Sequence, residues 1–442
     1  MANLRAPGHR NAATGNESKL SRLGVTALLL GWGLLLPIAM ASAEEKGMSW
    51  PPTFIRTKVA TTLGGYHATT RGTIRLVFPH QGKWLVFRGR PDTYHFCEDG
   101  VTWTATEAPQ AGRSHLIIGD TIYSRYDVLV EGAPAWKFDR FIARGTISGN
   151  AIDWEEPAKL DLRLSYYPDL QQDATGHFTM TGRAAIRDEG GGVKGVELLW
   201  SRSIRPNDFT DWEPEVRFVP FLGDMTASEA HENLALNEGR SYVFGMLSVE
   251  GVGKLYGRLF DGGRWAEPVL LSAKMSLVRG TDRRMSAVFD RAAEVIHLGY
   301  VEGDGALWYR TCTSPYRPED WSEPVRLQPF KTFTVVLSLD TSHRPAHVYL
   351  LFGKMLFEDA HDLRNTYGEL YLQRFDGESW SEPILVSQPG TEDNWYPNMN
   401  EDVSLGLGIL YLRGSARTRP GERPPLDIMF ASTGVPRSVQ AP

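Results

Sequence analysis

A tryptophan followed within a few residues by an acidic residue and proline, and often then by a short alternating segment, recurs seven times. The copies are Trp50-Pro-Pro, Trp103-TATEAP, Trp154-EEPAKL, Trp212-EPEVRF, Trp265-AEPVLLS, Trp321-SEPVRLQ and Trp380-SEPILVS, at spacings of 53, 51, 58, 53, 56 and 59 residues. From Ser286 one period reads SAVFD, EVIHLGYV, ALWYRTC and WSEPVRLQ, with Gly, Asp and Pro punctuating the gaps, which gives four short strands. Periods of about this size built from four strands are the mark of propeller blades. The expected fold is therefore all-β, a seven-bladed β-propeller. Gly 44, Pro 27 and Trp 13 suit such a body of tight turns and aromatic strands.

The first 43 residues stand apart from this pattern. Arg5, Arg10, Lys19 and Arg22 precede an uncharged run from Leu23 to Ala43, interrupted by Pro37 and ending in Ala41-Ser42-Ala43. A basic stretch, an apolar run and a small-residue end read as a secretory signal with cleavage after Ala43; the alternative is an uncleaved anchor, since 21 uncharged residues could just span a bilayer. Either way residues 44–442 are expected as one exported propeller domain, secreted or periplasmic. Without the segment, 43 basic against 52 acidic residues leave a charge of −9. Nucleic acid and anionic lipid need clustered Lys and Arg, so neither partner is expected, and no membrane contact beyond the signal segment. Two cysteines, Cys97 and Cys312, cannot supply a disulfide framework.

Three of the turns before the repeat tryptophans carry Asp-Gly: Asp99-Gly100, Asp261-Gly262 and Asp376-Gly377. Asp accepts hydrogen bonds from the turn's own N–H groups and Gly takes a positive φ. These turns resemble degenerate Asp-boxes, the Ser-x-Asp-x-Gly-x-x-Trp motif of BNR-repeat, sialidase-like propellers, over almost all of residues 44–442. The resemblance implies a carbohydrate-active fold that hosts sialidases, polysaccharide lyases, other glycosidases and non-catalytic sugar binders, and fold alone does not choose among them. The last period ends in strands without a following tryptophan motif, so the segment from Trp50 is expected as the outer strand of the last blade. Sialidases named for the motif have six blades; their Arg-Ile-Pro has no counterpart in His67-ATTRG-TIRLVF, which argues against a sialidase.

The residues just before each innermost strand converge on one mouth of a propeller's channel, the default pocket. Counting onward from each tryptophan gives His67, His115, Tyr166 with Tyr167, His231, Arg284, Phe333 and Tyr396. Histidine can take a proton near neutral pH, tyrosine can donate one, and arginine can hold a sugar carboxylate. That set suits uronate elimination or acid-sugar hydrolysis, and the chain is similar in architecture and residue types to seven-bladed ulvan-type lyases. His67, His231, Tyr167 and Arg284 are the candidate catalytic groups; His115, Arg71, Arg183, Tyr396 and Arg413 are candidates for substrate binding. The alternative is that the histidines line the channel and bond to neighbouring loops.

Two segments echo each other. Tyr166-Tyr-Pro-Asp leads to Arg183 and Trp395-Tyr-Pro-Asn leads to Arg413, each arginine expected near the same mouth as its Tyr-Pro, or else facing solvent as an ordinary blade variant. His231 and Glu232, adjacent on an extended segment, point to opposite faces and make a poor metal pair. His343, His347 and His361 surround an insertion, KMLFEDAHDLRNTYGE, read as a capping loop, and His297 reads as a packing residue. No phosphate loop, serine-hydrolase elbow or paired zinc cysteines occur. No cofactor and no metal are expected; the partner is a polysaccharide or oligosaccharide, bound by a monomer, with a non-catalytic binding propeller as the competing class.

Overall fold

The computed structural model describes residues 48–62, 75–88, 93–107, 112–134, 137–164, 166–219, 231–275, 283–355, 368–388, 393–414 and 425–438. The expected signal segment lies outside them, and no helix among the described residues is long and apolar enough to cross a membrane. The chain is an all-β β-propeller. Sheet I holds Val77–His80, Lys83–Arg88, Thr93–Cys97 and Thr104–Glu107. Sheet II is built on Gly112–Ile118, Thr121–Leu129 and Phe138–Ser148, sheet III on Tyr166–Gln172, Phe178–Arg187 and Val193–Arg202. Sheet IV follows with His231–Ala235, Ser241–Val249 and Val252–Asp261, then sheet V with Met285–Asp290, Val295–Val301 and Leu307–Thr313. Each is an antiparallel meander, and its first strand is the innermost.

Sheet VI has eight strands. It runs through Thr332–Asp340, His347–Met355 and Gly368–Phe375, then Asp393–Met399, Gly408–Gly414 and Leu426–Ser432, to the N-terminal strand Ile55–Thr62, with Ile384–Leu385 off the path. The N-terminal strand pairs antiparallel with Leu426–Ser432, from Ile55 opposite Ser432 to Thr62 opposite Leu426. The expectation of a seven-bladed propeller is thus corrected: five blades stand as separate sheets of four or five strands, I to V, and the remaining strands join in the one eight-stranded sheet. Two strand groups fuse through one residue pair, Gly368 with Asn394, reinforced by Asn394 Nδ2 donating to Gly368 O at 3.1 Å. Glycine is required at 368 by its other neighbour, since a Cβ there would lie 1.8 Å from Lys354 O of the strand His347–Met355.

Apolar seams lie between successive strand groups, and the repeat tryptophans mark them. Trp154 packs on Tyr94 of sheet I (5.8 Å between ring centroids), Trp265 on Trp200 of sheet III (5.1 Å), Trp321 on Tyr242 of sheet IV (5.8 Å) and Trp380 on Tyr309 of sheet V (5.0 Å). Trp212 packs into the cluster of Tyr123, Ile142 and Phe178. Trp50 meets Tyr349 at 6.0 Å, and Trp103 of sheet I meets Phe430 of sheet VI at 5.0 Å, so the first sheet lies against the last. A wide indole fills the wedge between two twisted sheets with one side chain, which is why the repeat keeps it.

The acidic turns divide. Asp99 Oδ1 accepts the N–H groups of Val101 (2.8 Å) and Thr102 (2.6 Å), and Asp376 Oδ1 those of Glu378 (3.0 Å) and Ser379 (2.9 Å), with positive φ at Gly100 and Gly377. Asp261 instead pairs with Arg264 around a two-residue hairpin of Gly262 and Gly263. Cys97 and Cys312 are both free and buried, and burial pushes their thiols up to about 11 and about 12.

Candidate functional site

One position recurs along the innermost strands. Asn398 Oδ1 accepts Leu76 N–H at 3.1 Å, Ser114 Oγ accepts Leu170 N–H at 3.2 Å, Asp169 Oδ2 accepts Asn233 N–H at 2.8 Å and Ser286 Oγ accepts Leu337 N–H at 2.9 Å. Glu232 takes Ala287 N–H in the same way. In each case the acceptor side chain binds the peptide N–H of the next innermost strand, and the residue that donates follows the equivalent position in its own strand. Arg75, Ser114, Asp169, Glu232, Ser286, Val336 and Asn398 therefore share one level of the channel. An innermost strand leaves one edge of its peptides without a sheet partner, and these side chains satisfy it.

Two of the acceptors are carboxylates, and arginines answer both. Arg75 donates to Asp169 Oδ1 from Nη1 at 3.2 Å and to Glu401 Oε2 from Nε at 2.8 Å; Arg283 binds Glu232. Asp169 and Glu232 are buried, with 2% and 3% of their side chains exposed, whereas Glu401 is half exposed at 50%. Burial raises the Asp169 carboxyl above its ordinary range, against the opposing pull of Arg75, the Asn233 N–H and Arg283. Burial likewise lowers Arg283 to about 10, helped by the like charge of Arg75. Arg75 also loses solvation, but Glu401 and Asp169 hold its pKa above the usual value. Three carboxylates thus face two guanidiniums, each guanidinium already engaged.

A cleft of about 500 Å³ opens from this cluster. Arg75 and Glu401 line its floor; Phe78, Pro79, Leu116, Ile117 and Leu405 give it apolar walls. Its rim is formed where innermost strands of sheets I, II and VI end, at His80 with Gln81, at Gly119 with Asp120, and at Asp402. That is the mouth opposite the one where the innermost strands begin, which is where the expected residues were placed.

His67 and Arg71 lie outside the described residues. His115 is fully buried in the seam between sheets I and II, its ring 3.9 Å from Phe87 and its Nδ1 3.2 Å from Tyr94 Oη, and burial takes its pKa down to about 3. It sits one residue past the channel level, and alternate residues of a strand point to opposite faces. His231, one residue before Glu232, is fully buried by the same alternation, and Arg284 is 4% exposed beside the channel arginine Arg283. Tyr396 is 7% exposed within the seam cluster of Trp84, Phe87 and Phe430, which places its ring in packing instead of an open mouth.

Tyr166 and Tyr167 open the strand Tyr166–Gln172. The echo between the two Tyr-Pro segments has a backbone cause: register shifts fall between Tyr166 and Asp169 and between Trp395 and Asn398, and each bulge delivers the side chain that completes the channel level. Their arginines stand opposite the start of each innermost strand, Arg183 against Tyr166 and Arg413 against Asn394. Arg183 is 5% exposed; Arg413 donates to Gln388 Oε1 at 3.2 Å and Asp427 Oδ2 at 3.3 Å. The structure does not bring His115, Tyr396 and Arg413 together with the Arg75 cluster. Sequence reading missed Asp169, Glu232, Arg283 and Glu401; for two of them the signal was an acidic residue within an innermost strand, Asp169 in Pro-Asp-Leu and Glu232 in His-Glu-Asn-Leu.

Among the described residues no group of three His, Cys, Asp or Glu side chains is disposed to hold a metal ion. No protein family and no curated protein matches the chain. Solved structures do. A polysaccharide lyase described as an ulvan lyase of a new family shares 12% identity over 68% of this chain and 79% of its own, with a TM-score of 0.43. AofleA from Arthrobotrys oligospora shares 11% over 76% and 91%, with a TM-score of 0.46. A sialidase of Trypanosoma rangeli shares 10% over 86% and 60%, with a TM-score of 0.38. At such identities and TM-scores the likeness says nothing of activity.

Proposed function

We propose that this protein is an exported carbohydrate-active propeller that engages a polysaccharide or oligosaccharide at its channel and cleaves it as a glycoside hydrolase or polysaccharide lyase. The observation that carries the reading is Arg75 holding two carboxylates in unlike surroundings, Asp169 buried and raised by burial, Glu401 half exposed at the floor of the cleft. Cleavage of a glycosidic bond asks for one group that keeps its proton and another that gives its charge to the reacting centre, and environment is what separates two carboxyls in this way. The arginines proposed to hold an acidic sugar are Arg71, Arg183, Arg284 and Arg413, while Arg75 and Arg283 bind carboxylates. His67, His231 and Tyr167 remain the acid and base candidates proposed from the sequence, of which His231 is fully buried.

Incubating the protein with a panel of neutral and uronate-containing polysaccharides, while following reducing ends and the absorbance of unsaturated ends, tests this directly. New reducing ends that disappear in Glu401→Gln support it. A second reading is favoured by one observation: both Asp169 oxygens are occupied, one by Arg75 and one by Asn233 N–H, as befits a structural acceptor. Under it the propeller binds a glycan without cleaving it. Saturable glycan binding with no new ends, unchanged in Asp169→Asn, would establish the binder and remove the enzyme.

A further inference from the structure

The cleft at the end of the innermost strands has a charge and a shape that select a ligand. Its walls are the apolar faces of Phe78, Pro79, Leu116, Ile117 and Leu405. Three carboxylates stand around them, Asp120 at 57% and Glu401 at 50% side-chain exposure and Asp402 beside them, while Arg75, the one arginine or lysine lining it among the described residues, is tied to Asp169 and Glu401. A volume of about 500 Å³ falls in the range of roughly 300–1,000 Å³ that encloses small-molecule ligands. A second observation points to a guest. His80, 7% exposed and lining the cleft, has an Nε2 with no hydrogen-bond partner among the described residues; it stands 3.5 Å from Asp120 Oδ1, an oxygen already taken by Gln81 Nε2 at 2.6 Å.

Resting on the reading of the protein as carbohydrate-active, we infer that this cleft receives an amino sugar in its free-amine form, the apolar ring face lying on Phe78 and Pro79 and the ammonium drawn to Asp120 and Glu401. Sugar rings present C–H faces that stack on flat apolar surfaces, and a charged donor on an exposed carboxylate makes the stronger class of hydrogen bond. An acidic sugar meets the opposite condition here, because among the described residues the lining guanidinium of Arg75 is already held by carboxylates. Asp402 serves the cleft indirectly: Thr341 Oγ1 donates to its Oδ2 at 2.6 Å and Ser404 N–H to its Oδ1 at 2.9 Å, which fixes the rim.

Calorimetric titration of the full-length protein with glucosamine oligomers, their N-acetylated counterparts and uronate oligomers of equal length tests the inference. The free-amine oligomers should bind at least about tenfold more tightly than the N-acetylated ones, a difference of ~1.4 kcal/mol. The advantage should shrink about tenfold in Asp120→Asn, a rim residue whose loss leaves the channel cluster intact, and should fade at about pH 9, above the ordinary amine range near 8. Equal binding of the N-acetylated oligomers overturns the amine inference and leaves the carbohydrate reading standing. Binding of a simple alkylammonium as tight as that of the amino sugar overturns the sugar part. Silence from every saccharide overturns both.

Discussion

Ser114 and His115 are neighbours in one strand and live in different worlds. The Ser114 hydroxyl belongs to the channel level and takes Leu170 N–H; the imidazole of His115 is pressed among Phe87 and Tyr94 in a seam and cannot hold a proton near neutral pH. The same contrast separates Glu232 from His231 and Asp169 from Leu170. The seams are apolar and held by area; the channel is polar and held by pairing. A one-residue error along an innermost strand therefore exchanges a site residue for a core residue, and the error is invisible in composition.

The contrast can be broken from the seam side with the largest expected effect. Trp84 is fully buried and donates from Nε1 to Gly434 O at 2.7 Å, so Trp84→Ala should cost about 4 kcal/mol in urea unfolding. A loss under about 1 kcal/mol would mean that the seam between sheets I and VI contributes little. On the channel side, Glu232→Ala strands the Arg283 guanidinium and Ala287 N–H and should cost about 3 kcal/mol, with Glu232→Gln recovering part of it. If Glu232→Gln unfolds like the native protein, the charge at Glu232 is not what the pairing requires.

Acid sharpens the comparison. His115 has its folded pKa depressed from the ordinary value near 6.5 to about 3, and His95 and His297 to about 4, all by burial first. As pH falls below about 6.5 the unfolded chain takes up protons that the folded one refuses, so stability should drop by up to ~1.4 kcal/mol per pH unit for each histidine. His115→Leu should flatten the profile between about pH 6 and 4 by one such contribution; an unaltered slope would show that His115 is reached by solvent. The smallest effect is expected at the neutral stitches. Ser286→Ala removes the acceptor of Leu337 N–H and should cost about 1 kcal/mol, with glycan binding unchanged.

Much of the fold was legible. The period from Ser286 gives strands where Met285–Asp290, Val295–Val301 and Leu307–Thr313 lie, because each strand alternates and each turn carries its Gly, Asp or Pro. The seam contacts of Trp50, Trp154, Trp265, Trp321 and Trp380 follow from the same repeat. The site was legible only in type. Counting from tryptophans reached Arg284 and His231, the strand neighbours of the paired Arg283 and Glu232. Bulges at Tyr166–Asp169 and Trp395–Asn398 move the register by residues that no count anticipates. The fusion of two strand groups at Gly368 and Asn394 was equally hidden, since it depends on how near two backbones come.

The sequence by itself determined that this chain would be a propeller of short twisted strands with indoles in the wedges, since periodicity and turn chemistry are local properties of neighbouring residues. Only the tertiary structure decided that Arg75, Asp169 and Glu401, separated by 94 and 326 positions along the chain, would meet across a channel. Their pairing comes from the superposition of innermost strands drawn from different sheets, and the level at which those strands align is fixed by hydrogen bonds between sheets that no single stretch of sequence contains.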